Sequence, residues 1–194
     1  MTGLQPALGA GFGCGTIVGM DSLRPRRSVL FMPGANARAL EKARSIDCDG
    51  IIIDLEDAVA PDLKVEARER AAGVVKEHPY GYREVAIRVN GMDTQWYHDD
   101  LAAAVAAGPD AIAVPKVGSA EHVHAIVADM EAAGADESVK LWAMIETPRA
   151  VLDCLDIAEA SDRLTVLIMG TNDLTKELRA SHVAGRAPVA TALQ

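Results

Sequence analysis

From Ser28 onward the chain alternates short β-rich runs with amphipathic helical stretches, and this alternation constrains the fold more than any other feature. A strand, a helix and another strand in regular succession predict a parallel sheet joined by right-handed crossovers. The runs read as strands are Val29–Met32, Gly50–Asp54, Glu84–Arg88, Ala111–Val114, Leu141–Ile145 and Thr165–Met169. Helix starts stand between them: Asn36 as a cap, Pro61-Asp62 in a first turn, Ser119 as a cap with Glu121 near the dipole, and Thr147-Pro148 as cap and first residue. Six β/α units result, spaced too unevenly for a solenoid. The predicted class is α/β, an incomplete (β/α)8 barrel, because eight such units take roughly 250 residues and this chain has 194. Residues 1–23, with six glycines and no apolar period, read as a Gly-rich extension. Residues 24–194 read as the partial barrel domain, about two units short. Within the extension Gly9–Gly15 lacks both a preceding strand and the G-x-G-x-x-G spacing of a phosphate loop, and Met20 is an alternative start.

Composition narrows the function. With 19 Lys+Arg against 28 Asp+Glu the net charge is −9, which repels a phosphate backbone and argues against nucleic acid as a partner. An anionic substrate then needs local cations or a metal. Cys14, Cys48 and Cys154 are odd in number and widely spaced, so neither a disulfide framework nor a thiolate zinc site is expected. The apolar runs fall short of a membrane span and the start lacks a basic signal region, so a soluble, cytoplasmic protein is expected.

Polar residues cluster at the predicted C-terminal strand ends: Pro33-Gly34, Asp54/Glu56/Asp57, Arg88/Asn90, Lys116, Glu146 and Asn172/Asp173. In a (β/α)8 barrel these ends form the active-site rim. The opposite ends carry Asp49, Glu84, Asp110 and Lys140, which read as ordinary solvated charges. Glu146 directly follows an apolar strand, and Asp173 follows the next one through Gly170-Thr171-Asn172. Two carboxylates facing one centre suit Mg²⁺, which prefers oxygen ligands and retains waters. Their competing reading as helix caps is weaker for Glu146, since Thr147 already caps that helix. Arg88 reads as facing the barrel interior or rim, with the Asp54–Asp57 turn as its structural partner and catalysis as the alternative. Lys116 reads as a binding or structural residue, and the five histidines show no ligand spacing.

The segments Arg26–Pro33, Asp54–Val59, Ile87–Asn90, Val114–Lys116, Met144–Pro148 and Gly170–Leu174 together resemble the citrate lyase β-subunit-like (HpcH/HpaI aldolase/citrate lyase) family of barrel lyases. The resemblance covers about Leu23–Ala192. It implies that Glu146 and Asp173 ligate Mg²⁺, that Arg88 lies over the reacting carbonyl with the Asp54–Asp57 turn, Glu56 and Asp57 included, supporting it, and that Gly170, Thr171 and Asn172 seat the substrate carboxylate; Lys116, by its rim position, is a further substrate-binding candidate. It implies cleavage of a 3-hydroxyacyl thioester of the malyl-, citramalyl- or citryl-CoA type, carried on CoA or an acyl carrier, into an acyl thioester and a 2-oxo acid. It further implies a homo-oligomer of trimer type in which a neighbouring subunit's acidic residue, from the C-terminal region, completes the site. Two other readings stay open: a Mg²⁺-dependent aldolase acting without a thioester, and an inactive binding remnant.

Overall fold

The computed structural model describes residues 24–194; the glycine-rich extension and Cys14 lie outside the described residues. Six parallel strands, β1 (Val29–Pro33), β2 (Gly50–Asp54), β3 (Glu84–Arg88), β4 (Ala111–Val114), β5 (Lys140–Ile145) and β6 (Leu164–Met169), pair in sequence order as one open sheet. All six strands differ from the expected ones by one residue or less at each end, and β2 sets the pattern: Gly50-Ile-Ile-Ile-Asp54 is buried throughout, as a strand covered on both faces must be.

Period-two alternation divides each strand between two apolar layers. One face packs against the helices through Ile51, Ile53, Ile87, Ile112, Val114, Leu141 and Ala143. The other, the inside of the curved sheet, is a smaller cluster of Ile52, Ala86, Ala111, Ala113 and Trp142, flanked by Val29, Val166 and Ile168. The helices are α1 (Ala37–Ala43), α2 (Lys64–Lys76), α3 (Tyr97–Ala107), α4 (Ala120–Ala132), α5 (Pro148–Leu152), α6 (Cys154–Glu159), α7 (Thr171–Glu177) and α8 (Ala190–Leu193). Asn36, Ser119 and Thr147 each accept a backbone N–H from the first turn of the helix they precede, as their sequence positions predict. Pro61–Leu63 forms a short 3-10 turn ahead of α2. Among the described residues no helix is long and apolar enough to cross a membrane.

The charges at the N-terminal strand ends require a correction. Arg26 forks onto Glu84 at 2.6 and 2.8 Å, Arg27 pairs with Asp49 at 2.6 Å, and Asp110 accepts the Val85 N–H at 2.8 Å. Glu84 is buried. Glu84 and Asp49 fasten the segment before β1 to the sheet, and Asp110 ties the start of β3, none of which strand-end position alone reveals.

Candidate active site

Arg88 is the last residue of β3 and Asp54 the last of β2, and the two are register partners on the inner face. Their side chains therefore stand side by side. Arg88 donates from Nε and Nη2 to the two Asp54 oxygens, each at 2.6 Å, in a buried bidentate pair. Asp54 also accepts the backbone N–H groups of Glu56 (2.8 Å) and Ala58 (3.0 Å), so its oxygens are fully engaged in holding the fork. The remaining amino group, Nη1, lies 2.8 Å from Glu56 Oε2, 3.8 Å from the Met144 sulfur and 4.0 Å from Asp57. The guanidinium stacks 5.0 Å from the Phe31 ring centroid. Burial alone would lower the pKa of Arg88, but Asp54, Glu56 and Asp57 outweigh it and raise the group above its ordinary value.

Glu56 Oε2 is close to Arg88 but off the N–H direction, so it has no hydrogen-bond partner although it is buried. Burial raises the Glu56 pKa; Arg88 opposes this, while Asp57 and Asp54 add to it. Asp57 is exposed at the rim.

Glu146 follows β5, and Gly170 follows the paired end of β6. The Glu146 side chain is only 2% exposed as a residue and accepts the Lys116 backbone N–H at 2.9 Å. Its pKa is pushed up to about 7, chiefly by burial; the Lys116 N–H works against this, and Asp173 and Glu56 reinforce it. Lys116 makes that bond from a left-handed backbone, φ 54°, and its side chain is exposed toward a neighbouring hollow with Met92, Asp93, Pro115 and His122. Gly170 places no N–H in the site, because its own is donated to the Ile145 carbonyl at 3.0 Å. Its role is steric: a Cβ there would stand 2.5 Å from Glu146 Cγ. The resemblance implied that Gly170 binds substrate; in the structure its N–H is engaged with Ile145 and its lack of a side chain leaves space for Glu146.

Arg88, Asp54, Asp57, Glu146, Thr171, Asn172 and Asp173 line one cavity of about 470 Å³, with Phe31, Met144 and Ile168 as its apolar wall. Glu146 and Asp173, with the unpartnered Glu56 oxygen nearby, form a patch of anionic oxygen in which Asp173 and Glu56 add to the rise of the Glu146 pKa. A divalent cation would relieve that repulsion. Among the described residues no three His, Cys, Asp or Glu side chains form a complete cage. Mg²⁺ does not require one, since it keeps waters and substrate oxygens beside one or two carboxylates.

Residues 27–194 match the model of the HpcH/HpaI aldolase/citrate lyase family. The chain belongs to that family. It is 47% identical over 169 residues to a (3S)-malyl-CoA thioesterase of Cereibacter sphaeroides, covering 87% of this chain and 57% of that protein. It is 35% identical over 175 residues to the citrate lyase subunit beta of Escherichia coli, covering 88% and 57%. The citrate lyase beta subunit of Mycobacterium tuberculosis, solved with oxaloacetate and magnesium, superposes with a TM-score of 0.61 at 28% identity, covering 79% of this chain and 62% of that one. The chain thus spans about half the length of the curated relatives it matches. Family membership makes this an enzyme-family chain on an open, six-stranded parallel α/β sheet.

Sequence reasoning missed the polar layer beneath the site. Lys64, Arg68 and Asp100 were not singled out by their sequence positions, yet Lys64 and Asp100 are buried. A signal was present: Lys64, Ala67, Ala71 and Val75 form the buried stripe of α2, and Asp100 lies on that of α3 with Tyr97, Leu101 and Ala104.

Proposed function

We propose that residues 24–194 are one domain carrying the cation-binding and carbonyl-activating part of a Mg²⁺-dependent carbon–carbon lyase. Its substrate would be a 3-hydroxyacyl thioester of the malyl-, citramalyl- or citryl-CoA type, cleaved to an acyl thioester and a 2-oxo acid. The observation carrying this reading is the buried Arg88 fork, which presents Nη1 to the cavity that Glu146 and Asp173 also line. Glu146 and Asp173 would hold the ion, which when bound would chelate the oxo-acid half and polarise its oxygen. Arg88 would hydrogen-bond the thioester oxygen as enolate charge develops there. Asp54 locks the fork in the required orientation, and Glu56 and Asp57 keep it charged. Thr171 and Asn172, at the start of α7, would position the substrate carboxylate. Lys116 contributes its backbone N–H to Glu146 and a cationic side chain at the rim. We place the enzyme in the cytoplasm as a homo-oligomer of trimer type.

A second reading is hydrolysis of the thioester, favoured by the name of the Cereibacter sphaeroides relatives. The same Arg88 would then stabilise the oxyanion formed by attacking water. Product analysis separates the two. The protein is incubated with malyl-, citramalyl- and citryl-CoA, with and without Mg²⁺, and the products are resolved by mass spectrometry. Lyase action gives acyl-CoA plus a 2-oxo acid only when Mg²⁺ is present. Free CoA with the intact hydroxy acid would replace the lyase reading by the hydrolytic one.

A further inference from the structure

Behind the cavity lies a positive charge for which the chemistry above has no use. Lys64 opens α2 with its side chain turned inward, and the residue is 5% exposed. Its Nζ has three acceptors at bonding distance: the carbonyls of Leu55 (2.8 Å) and Glu56 (2.8 Å) and Asn90 Oδ1 (2.7 Å). A Lys ammonium has three N–H donors, so its capacity is fully used. The Trp96 ring covers it at 5.3 Å from the centroid. Asn90 passes the connection on: its Nδ2 donates to Leu55 O and Asp100 Oδ2, its backbone N–H donates to Asp100 at 3.1 Å, and Asp100 accepts Arg68 Nε at 2.7 Å.

The two backbone acceptors are consecutive. Along an extended strand successive carbonyls point to opposite sides, so their convergence on one ammonium marks a turn in the chain at Leu55–Glu56. The ammonium holds the two carbonyls at one point with two of its three N–H donors. The same turn receives the Arg88 carbonyl, which accepts the Leu55 N–H at 2.9 Å, and Asp54, which accepts the Glu56 N–H at 2.8 Å. It delivers the Glu56 carboxylate to 2.8 Å from Arg88 Nη1. Lys64 does not line the cavity, and with its three donors engaged it is not available as a nucleophile.

We propose that Lys64 is a positioning residue, acting through the Leu55–Glu56 turn to hold Glu56 against the Arg88 guanidinium. This rests on the reading of Arg88 as the group that stabilises developing charge.

The test uses the full-length protein with Lys64→Met and Lys64→Arg, each characterised by crystal structure, by kcat and KM, and by Mn²⁺ affinity from electron paramagnetic resonance. In Lys64→Met the Glu56 carboxylate is expected to withdraw beyond about 4 Å from Arg88, past ion-pair range. Its kcat should fall about 10²-fold, as on loss of one electrostatic stabiliser. KM and Mn²⁺ affinity should stay within about threefold, since ground-state binding is not the function removed. Adding Glu56→Gln should bring little further loss, because two residues acting through one contact are not additive. Lys64→Arg retains the buried charge and covers the case in which Lys64→Met does not fold. It should show a smaller displacement of Glu56 and a kcat lowered about tenfold, since a planar fork cannot converge on three acceptors as an ammonium does. An unmoved Glu56 in a folded variant, fully multiplicative losses with Glu56→Gln, or Mn²⁺ affinity falling in step with kcat would each overturn the proposal. If the wild-type protein cleaves no thioester, the lyase reading falls, and the Glu56–Arg88 distance still decides the role of Lys64.

Discussion

At the scale of the residue, Glu146 combines burial with a proton affinity that places its titration near neutral pH. Its folded pKa, about 7, lies above that of an unfolded glutamate, so between the two values the folded state binds the extra proton. Without a divalent cation this group's contribution to stability therefore falls as pH rises from about 4.3 toward 7. A cation must displace the proton, so Mn²⁺ affinity is expected to rise with pH and level off above about 7. Titrations between pH 5.5 and 8.5 check this; a flat profile would remove Glu146 from the ligand set. Gly170→Ala tests the same carboxylate sterically. Its new Cβ would meet Glu146 Cγ at 2.5 Å, so Mn²⁺ affinity should fall about tenfold or more with an overpacking cost of about 1–3 kcal/mol. Calorimetry and thermal melts read the two effects separately.

Elements place these residues, and the ends of strands matter more than their middles. Arg88 and Asp54 meet because β2 and β3 pair in register and end together. Arg88→Lys would leave part of the buried Asp54 carboxylate unpaired, since one ammonium cannot replace the two-pronged fork. The variant is expected to lose most turnover and also about 1–3 kcal/mol of stability, the cost of under-satisfied buried polar groups. Asp54→Ala, which strands the guanidinium, should cost about 3–5 kcal/mol. Denaturant melts of both variants check the order; equal stability would mean that the pair contributes nothing to the fold. Thr147→Ala, which removes only the cap of α5, should cost about 1 kcal/mol and leave Glu146 in place.

At the scale of the molecule, the sheet is open among the described residues, with β1 and β6 as its two edges. Phe31 is 43% exposed on the inner face, and the buried Trp142 indole N–H has no hydrogen-bond partner among the described residues. Unpaired edge strands beside an apolar face are a template for association. Residues 24–194 produced alone are therefore expected to self-associate and to show little Mg²⁺-dependent turnover, because water enters the cavity and weakens its electrostatics. Light scattering and a cleavage assay check this. A monodisperse, active monomer would show that the open sheet suffices.

Strand and helix order, the caps at Asn36, Ser119 and Thr147, and the rim positions of Arg88, Glu146 and Asp173 were legible in the sequence. Local rules govern each of them: period-two burial, side-chain capping, and polar residues just beyond apolar strands. Tertiary structure alone decided that Glu84 and Asp49 anchor the segment before β1, that Gly170 is a space for Glu146, and that Lys64, Asn90 and Asp100 form a buried network under the Leu55–Glu56 turn. Each of these joins residues from different elements of the fold. A charge at a helix start looks the same in sequence whether it faces water or a pair of carbonyls from the turn after β2, and only packing determines which partner it meets.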